Sequence, residues 1–556
     1  MQLATDIFLL TSEWQDLKNQ HILRYYGISP DQGTIEVVID NQHPVFFISR
    51  ETTLPSTIKY VARRAVELKN FDKVDVDALY FNTRRELRGA REILEKAGIK
   101  TFEADVRSDR RFLMERFINA QANISGKAVK KGRLISFRNP RITPCQVTPN
   151  LAVASLDIET GVKSKRLYSI AAHLVKKSKT VKRVFVLDEN NFAQDGNFHF
   201  FPTQKSLLKN FIAWFKDADP DIIIGWNIVG FDLTFLERKC RELNVDFDLS
   251  RSGRNVFIRE REYSSGFTAH ISGRVVLDGP ELLRGAYYSF DDFTLETVAQ
   301  SLLKKGKKIA SEEDKIEEIE RLFREDKFAL AEYNLEDCIL VTEIFRKTGL
   351  LELWVRRSQI TGLLLSEVGR SVAAFDHAYL PRLHRKGYVA PNVGDVGDIK
   401  HAAGGYVMEP EPGIYDDVIV LDFKSLYPSI IQSFKIEPLS LIEKNTNPIL
   451  TPPVWLPGKE EMKSLSFSST ENMLPELIDT LMAQREIAKK NKDAFLSHAI
   501  KILMNSFYGV MGTSGCRFYH SYLPSAITGT GQWVLKESRK FLEKKGYQVL
   551  YGDTDS

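Results

Sequence analysis

Asp157 and Glu159 stand two residues apart at the end of an apolar run, Leu151-Ala152-Val153-Ala154-Ser155-Leu156-Asp157-Ile158. On a strand, such residues project from one face, so the two carboxylates lie side by side. Like charges so placed repel unless cations bind between them. Asp232 follows a second apolar run, Asp221-Ile222-Ile223-Ile224-Gly225, and the turn Gly225-Trp226-Asn227. Tyr333 and Asp337 lie at i and i+4 of a helical pattern and share one helix face. Acids at two strand ends and on a helix face could together hold a pair of Mg²⁺ ions. Such a pair, roughly 3.5 to 4 Å apart, activates water and stabilises the leaving oxygen in phosphodiester hydrolysis. Any one of these acids alone reads as a solvated surface group; their ordered combination carries the chemistry.

A second acid set lies further along. Asp422-Phe423-Lys424-Ser425-Leu426-Tyr427-Pro428 puts a carboxylate at the end of an apolar run and ahead of a helix start. Backbone amides at a helix N-terminus suit a triphosphate held by a metal at Asp422. Tyr427 would form a rigid wall beside a bound sugar. Lys501, Asn505 and Tyr508 fall on one stripe of a helix, and Gly509 leaves room for another backbone or a base. Arg485 and Lys489 lie one turn apart on the preceding helix. Two helices turning cations toward each other would make a triphosphate clamp. Tyr551-Gly552-Asp553-Thr554-Asp555-Ser556 places two more acids in a tight turn, and with Asp422 they complete a second Mg²⁺ site suited to nucleotidyl transfer.

These groups need several folding units. At 556 residues the chain is too long for one core, and about three to five domains of roughly 100 to 200 residues are expected. Net charge is only +4, so any electropositive groove must be local. The four cysteines, Cys145, Cys240, Cys338 and Cys516, are widely spaced, which argues against zinc sites and a disulfide framework. No apolar run is long enough to span a membrane, and Met1 to Leu10 has no signal-peptide pattern. A cytoplasmic compartment is expected.

Residues 1–150 read as a mixed α/β unit with no catalytic spacing. A hairpin is expected over Ile35 to Ile48 around Asp40–Pro44, a helix over Leu87–Ala97 stopping at Gly98, and a loop over Asn123–Arg133. From about residue 151, strands alternate with helical patterns at Gln204–Asp217 and Leu233–Leu243, which predicts an α/β sheet. Glu260 to Arg274 reads as a hairpin around Gly266. A third unit starts near 365. It has a strand over Val418–Asp422, a loop over Asn445–Asn472, and helices over Leu474–Asn491 and Asp493–Gly509. A last strand is expected at Gln548–Tyr551; it needs a partner strand, so the chain reads as a piece of a longer one.

The ordered set Asp157-Ile158-Glu159, Asn227-xxxx-Asp232 and Tyr333-xxx-Asp337 resembles the three motifs of DEDDy-type 3′–5′ exonucleases. The segments Asp422–Ile430, Lys501–Gly509 and Tyr551–Ser556 resemble the A, B and C motifs of family B DNA polymerases, in the family's order. Three further segments are similar to the bacterial polymerase II branch of that family: Glu103–Ile118, Gly387–Asn392 and Gly404–Met408.

The resemblance implies a multidomain α/β and α+β protein with an RNase H-like exonuclease domain, a palm and fingers, the thumb missing. The divisions would be an N-terminal domain at 1–150 with a return segment near 366–391, an exonuclease domain at 151–365, palm at 392–443, fingers at 444–512 and further palm at 513–556. It implies that Asp157, Glu159, Asp232 and Asp337 bind two metals while Tyr333 orients water, and that Asn227 and Phe231 contact the terminal nucleotide. Asp422, Asp555 and the Phe423 carbonyl would bind the polymerase metals, with Asp553 flanking. Tyr427 would exclude a 2′-OH. Leu426, Arg485, Lys489, Lys501, Asn505 and Tyr508 would line the nucleotide site, and Gly404, Gly405 and Tyr406 the linker that partitions DNA. Mg²⁺, replaceable by Mn²⁺, would serve at two ions per site. Partners would be primer-template DNA, single-stranded 3′ ends, deoxynucleoside triphosphates and a sliding clamp. Roles in repair, damage tolerance and replication, at a bacterial nucleoid, would follow. Without a thumb, degradation of 3′ ends and DNA binding are expected of this chain more than primer extension.

Overall fold

The computed structural model describes residues 1–177, 179–189, 194–261, 266–305, 312–395, 404–442, 447–470 and 472–556. The chain begins with two sheets. The first runs Gln2–Leu17, Gln20–Ser29, Gly33–Ile39, Leu134–Arg138, Gln121–Lys131 and Arg141–Pro144 in spatial order. The second runs Ala62–Lys69, Asp75–Tyr80, Val45–Ser49 and Thr101–Phe102. The hairpin expected around Asp40–Pro44 does not form, because its two strands join different sheets. Gly33–Ile39 pairs with Leu134–Arg138, and Val45–Ser49 with Asp75–Tyr80. The expected loop at Asn123–Arg133 is mostly strand. Ala122, Ile124 and Ala128 alternate inward beneath the exposed lysines, and this burial outweighs the segment's polar composition. Helix α1 (Arg84–Lys96) starts where the Thr83 hydroxyl accepts from the Glu86 amide, and the chain leaves it through Gly98 at φ 71°.

The central unit is a seven-stranded sheet. Its core strands are β1 (Val153–Thr160), β2 (Leu167–Lys176), β3 (Lys179–Leu187), β4 (Ile222–Gly225) and β5 (Val275–Asp278), in the order β3-β2-β1-β4-β5. Strands β1 and β2 are antiparallel, whereas β1, β4 and β5 run parallel. Leu156 and Ile158 of β1 point to one face and pack with Leu207, Leu208 and Phe211 of α2 (Gln204–Ala218). The other face of β1 meets α4 (Lys327–Thr348), which lies downstream of α3 (Thr234–Glu242). The hairpin near Gly266 forms between Phe257–Glu260 and Phe267–His270, so its first strand starts earlier than expected. The hydrophobic core does not break at residue 150. Ile7, Phe8 and Phe137 of the first sheet share one cluster with Ile222, Val275 and Phe345.

The last unit packs around an aromatic knot. Phe375 and Tyr379 of α5 (Ser371–Arg385) stack at 5.2 Å, and Phe507 and Phe518 close on Phe375 edge-on at 5.5 and 5.8 Å. Around it lie α6 (Leu426–Phe434), α7 (Leu474–Lys490), α8 (Ala494–Met511) and α9 (Tyr522–Lys544). The buried Glu437 carboxylate accepts from the amides of Met473 and Leu474 at 2.8 and 2.6 Å, fixing the start of α7. The expected loop at Asn445–Asn472 lies partly outside the described residues, and within it Pro448–Leu450 pairs with Ser466–Ser468. Two expected strands are corrected. Val418–Asp422 is irregular backbone with Ile419 74% and Val420 81% exposed, and Gln548–Tyr551 is irregular too. Their composition suits a strand, but among the described residues no strand lies beside either for ladder pairing.

Candidate active sites

Three of the four acids of the first set converge, and Asp232 is not one of them. Carboxylate oxygens of Asp157, Glu159 and Asp337 lie within 4.8 Å of one another. Local structure explains the convergence. The two-residue period of β1 turns Asp157 and Glu159 away from the apolar face and toward α4. A bulge between Glu159 and Thr160 ends regular pairing with β2 at the site. Helix α4 is fixed at its start by the Asp326 carboxylate, which accepts from the Ala329 amide at 3.0 Å, and ends at Gly349, φ 62°. Its buried Leu330, Ala331, Leu335 and Cys338 hold it against the sheet, so Asp337 faces the β1 acids.

Asp232 arrives by another route. After β4 the chain turns at Asn227, φ 56°, and Gly230, where a Cβ would sit 2.7 Å from the Asn227 amide oxygen. A π-helical turn, Val229–Leu233, then carries Asp232 beneath β1, where its Oδ1 accepts from the Ile158 amide at 3.1 Å. Burial pushes the Asp232 carboxyl well above the ordinary range. Two backbone amides oppose the rise, and the negative charges of Glu159 and Asp278 reinforce it. The Tyr333 hydroxyl is raised by burial and then by Asp337, Glu159 and Asp157, which places it in the field of the same acids. Asn227 and Phe231 stand exposed at the mouth, the Phe231 ring 6.2 Å from that of Phe235. Divalent cations fit this donor set, since buried carboxylates raise one another's protonation unless positive charge lies between them.

The second set is arranged differently. A cavity of about 460 Å³ is lined by Asp422, Phe423, Leu426, Tyr427 and Asp555, and by Arg485, Lys489, Lys501, Asn505 and Tyr508 from α7 and α8. Phe423, Leu426, Tyr427, Arg485, Lys489, Lys501, Asn505 and Tyr508, the eight positions expected around the nucleotide, therefore face one space. Asp553 is not among its lining residues; it sits in the adjoining turn, where its Oδ1 accepts from the Thr554 hydroxyl at 2.8 Å. The Phe423 amide donates to the Asp555 carbonyl at 2.8 Å, tying the two acid segments together. The Tyr427 and Tyr508 rings lie 4.7 Å apart. Burial pushes the Tyr427 hydroxyl up to about 12, with Tyr508, Asp555 and Asp553 adding to it. The Arg485 Nε is buried without a hydrogen-bond partner among the described residues, and its Nη1 reaches Ser425 Oγ only at 3.4 Å. A buried guanidinium nitrogen so placed suits an anion entering the cavity.

Gly404, Gly405 and Tyr406 lie against the acidic turn. The Tyr406 carbonyl accepts from the Thr554 amide at 3.0 Å. A Cβ on Gly405 would come within 2.6 Å of Thr554 Oγ1, so a side chain there would force Thr554 to shift. Gln532 donates to the Gly404 carbonyl at 2.8 Å, and the Lys536 ammonium lies 4.6 Å over the Tyr406 ring.

Sequence reasoning missed two features. Asp278 ends β5 beside β4, its carboxyl pushed up to about 6 by burial and Glu281. The signal was there: Val275-Val276-Leu277-Asp278 repeats the pattern of an apolar run ending in an acid. From Asp278 a cleft of about 810 Å³ runs to Ile502 and Ser506 of α8, past Arg259, Arg284, Arg357 and Arg370. These arginines are scattered in sequence, so no local pattern announces them.

Two family models match the chain. Residues 368–556 match the DNA polymerase family B model, and residues 99–298 match that of the family B exonuclease domain. Tyr333 and Asp337 lie beyond the second match; the fold brings them to it. The chain is 38% identical to DNA polymerase II of Escherichia coli (strain K12), over 99% of this chain and 69% of that protein. It is 26% identical to a DNA polymerase of Archaeoglobus fulgidus, again over 99% and 69%. The family B DNA polymerase structure from Pyrobaculum calidifontis superposes with a TM-score of 0.77 at 22% identity, over 99% of this chain and 74% of that one. With two acid sets on one continuous fold, and a relative this similar along nearly the whole chain, the protein belongs to the family B DNA polymerases and carries their exonuclease domain.

Proposed function

We propose that the chain works as a proofreading polymerase whose two acid sets divide the chemistry. Asp157, Glu159, Asp232 and Asp337 hold two Mg²⁺ ions, replaceable by Mn²⁺, for hydrolysis of a 3′-terminal phosphodiester. Asp422, Asp555 and the Phe423 carbonyl hold two for nucleotidyl transfer, with Asp553 at their flank. Bound there, divalent ions supply Lewis-acid activation of the attacking oxygen and charge neutralisation at the leaving one. The residues supply the rest. Tyr333 orients the attacking water, and Asn227 and Phe231 hold the terminal nucleotide. Arg485, Lys489, Lys501 and Asn505 clamp the triphosphate, Tyr427 walls off a 2′-OH, and Leu426 and Tyr508 close the pocket around sugar and base. The arginine-lined cleft between the sites carries DNA phosphates, and Gly404, Gly405 and Tyr406 help partition the strand.

The approach of Asp157, Glu159 and Asp337 to within 4.8 Å carries this reading. We divide the chain into an N-terminal domain at 1–150 with a return segment near 366–391, an exonuclease domain at 151–365, palm at 392–443 and 513–556 and fingers at 444–512, the boundary at 443 lying outside the described residues. No described helix is long and apolar enough to cross a membrane. We place the enzyme in the bacterial cytoplasm at the nucleoid, in repair, damage tolerance and replication, with a sliding clamp as partner. The test is paired substitution in the full-length enzyme. Asp157→Ala should lower degradation of single-stranded 3′ ends by about 1,000-fold, the equivalent of about 4 kcal/mol of lost transition-state stabilisation, and spare synthesis. Asp422→Ala should do the reverse. Equal loss of both activities in both variants would overturn the assignment.

A further inference from the structure

We propose that Asn334 and Ser169 are positioning residues that aim the Asp157 carboxylate for cation binding, an inference that rests on the assignment of Asp157 as a metal ligand. Both are fully buried, at 0% exposure. Ser169 Oγ donates to Asn334 Oδ1 at 2.9 Å, and Asn334 Nδ2 donates to Asp157 Oδ2 at 2.5 Å. The direction of this relay is forced. A reversed amide would set Oδ1 against a carboxylate oxygen, acceptor facing acceptor, whereas a serine hydroxyl serves either way. Its far end is anchored to the same sheet, for Ser169 lies opposite Glu159 in the β1–β2 ladder.

The choice of an amide matters chemically. A lysine or arginine at position 334 would bring a counter-charge and compete with the cation. An amide fixes the carboxylate's rotation and leaves its charge intact. Asn334 and Asp337 are at i and i+3 on α4, so one helix face presents a ligand and the group that orients another ligand. Outer partners of this kind typically change metal affinity by about 10- to 100-fold when removed.

Mn²⁺ binding to the full chain without DNA, followed by electron paramagnetic resonance, tests this. Asn334→Ala should weaken affinity about 10- to 100-fold. Ser169→Ala should weaken it less, and should add nothing in the Asn334→Ala background, because both act through one carboxylate. Thermal melting checks that each variant folds. If Asn334→Ala does not, Ser169→Ala carries the test alone, since it deletes one hydroxyl. Asp157→Ala separates the two possible failures. If it binds Mn²⁺ as tightly as the parent, the metal-ligand assignment falls. If it loses tight binding while Asn334→Ala and Ser169→Ala stay within about twofold of the parent, this inference alone falls.

Discussion

The two acid sets differ in how they are built. Glu159, Asp232 and Asp337 are buried, held by a strand, a π-helical turn and a long capped helix that pack into hydrophobic cores. Asp422 and Asp555 are exposed, on irregular backbone and in a turn. The first set is preassembled by burial, so its electrostatic cost is met during folding, and a cation binding there finds its ligands in place. The second is bounded by cations on α7 and α8, and its acids lie exposed where the proposed triphosphate would enter. Hydrolysis demands a ready site for any frayed 3′ end, whereas synthesis gains selectivity if the site assembles around its nucleotide.

The sharpest way to exploit this contrast after the acid substitutions is Arg485→Ala. Removing a charge-assisted contact to phosphate costs about 2 kcal/mol, roughly a 30-fold rise in nucleotide KM. Steady-state kinetics on primer extension should show it, and degradation rates should not move. An equal fall in degradation would mean that the two cavities are not independent.

A break away from both sites should treat them alike, and His384 provides one. It lies on α5 between Glu103 and Glu115, at 2.9 and 2.8 Å, and joins the last unit to the N-terminal one. Burial alone would lower its pKa, but the two carboxylates outweigh that and raise it to about 9. Its contribution to stability is therefore complete below pH ~6.5 and lost as pH rises through about 9. His384→Gln should lower the melting temperature by a few degrees at pH 6, with a difference that shrinks between pH 6.5 and 9. Both activities should fall together near the melting transition. A difference that grows with pH would contradict the sign of this linkage.

What was legible in the sequence follows the same contrast. Short-range periodicity gave α2, α7 and α8 nearly to the residue, and strands β1 and β4 by their apolar runs. Motif order paired Asp157 with Asp337, 180 positions apart, which no local pattern could do. The failures share a cause: a strand is defined by its neighbour. Ile35–Ile48 alternates as a hairpin should, yet its halves enter different sheets. Val418–Leu421 has strand composition and no described strand beside it. Asn123–Arg133 is polar and basic, yet inward-facing Ala122, Ile124 and Ala128 make it a strand. Among site residues, Asn334 and Ser169 were invisible, because a buried relay between an amide and a hydroxyl has no spacing signature. Asp278 does carry a signature, the apolar run Val275-Val276-Leu277 ending in an acid.

The most direct test of preassembly is anomalous diffraction from crystals soaked in Mn²⁺ without DNA or nucleotide. Preassembly predicts density between Asp157, Glu159 and Asp337, and density beside Asp422 and Asp555 only after a deoxynucleoside triphosphate is added. Density at Asp422 in the nucleotide-free crystal, with none among Asp157, Glu159 and Asp337, would contradict it.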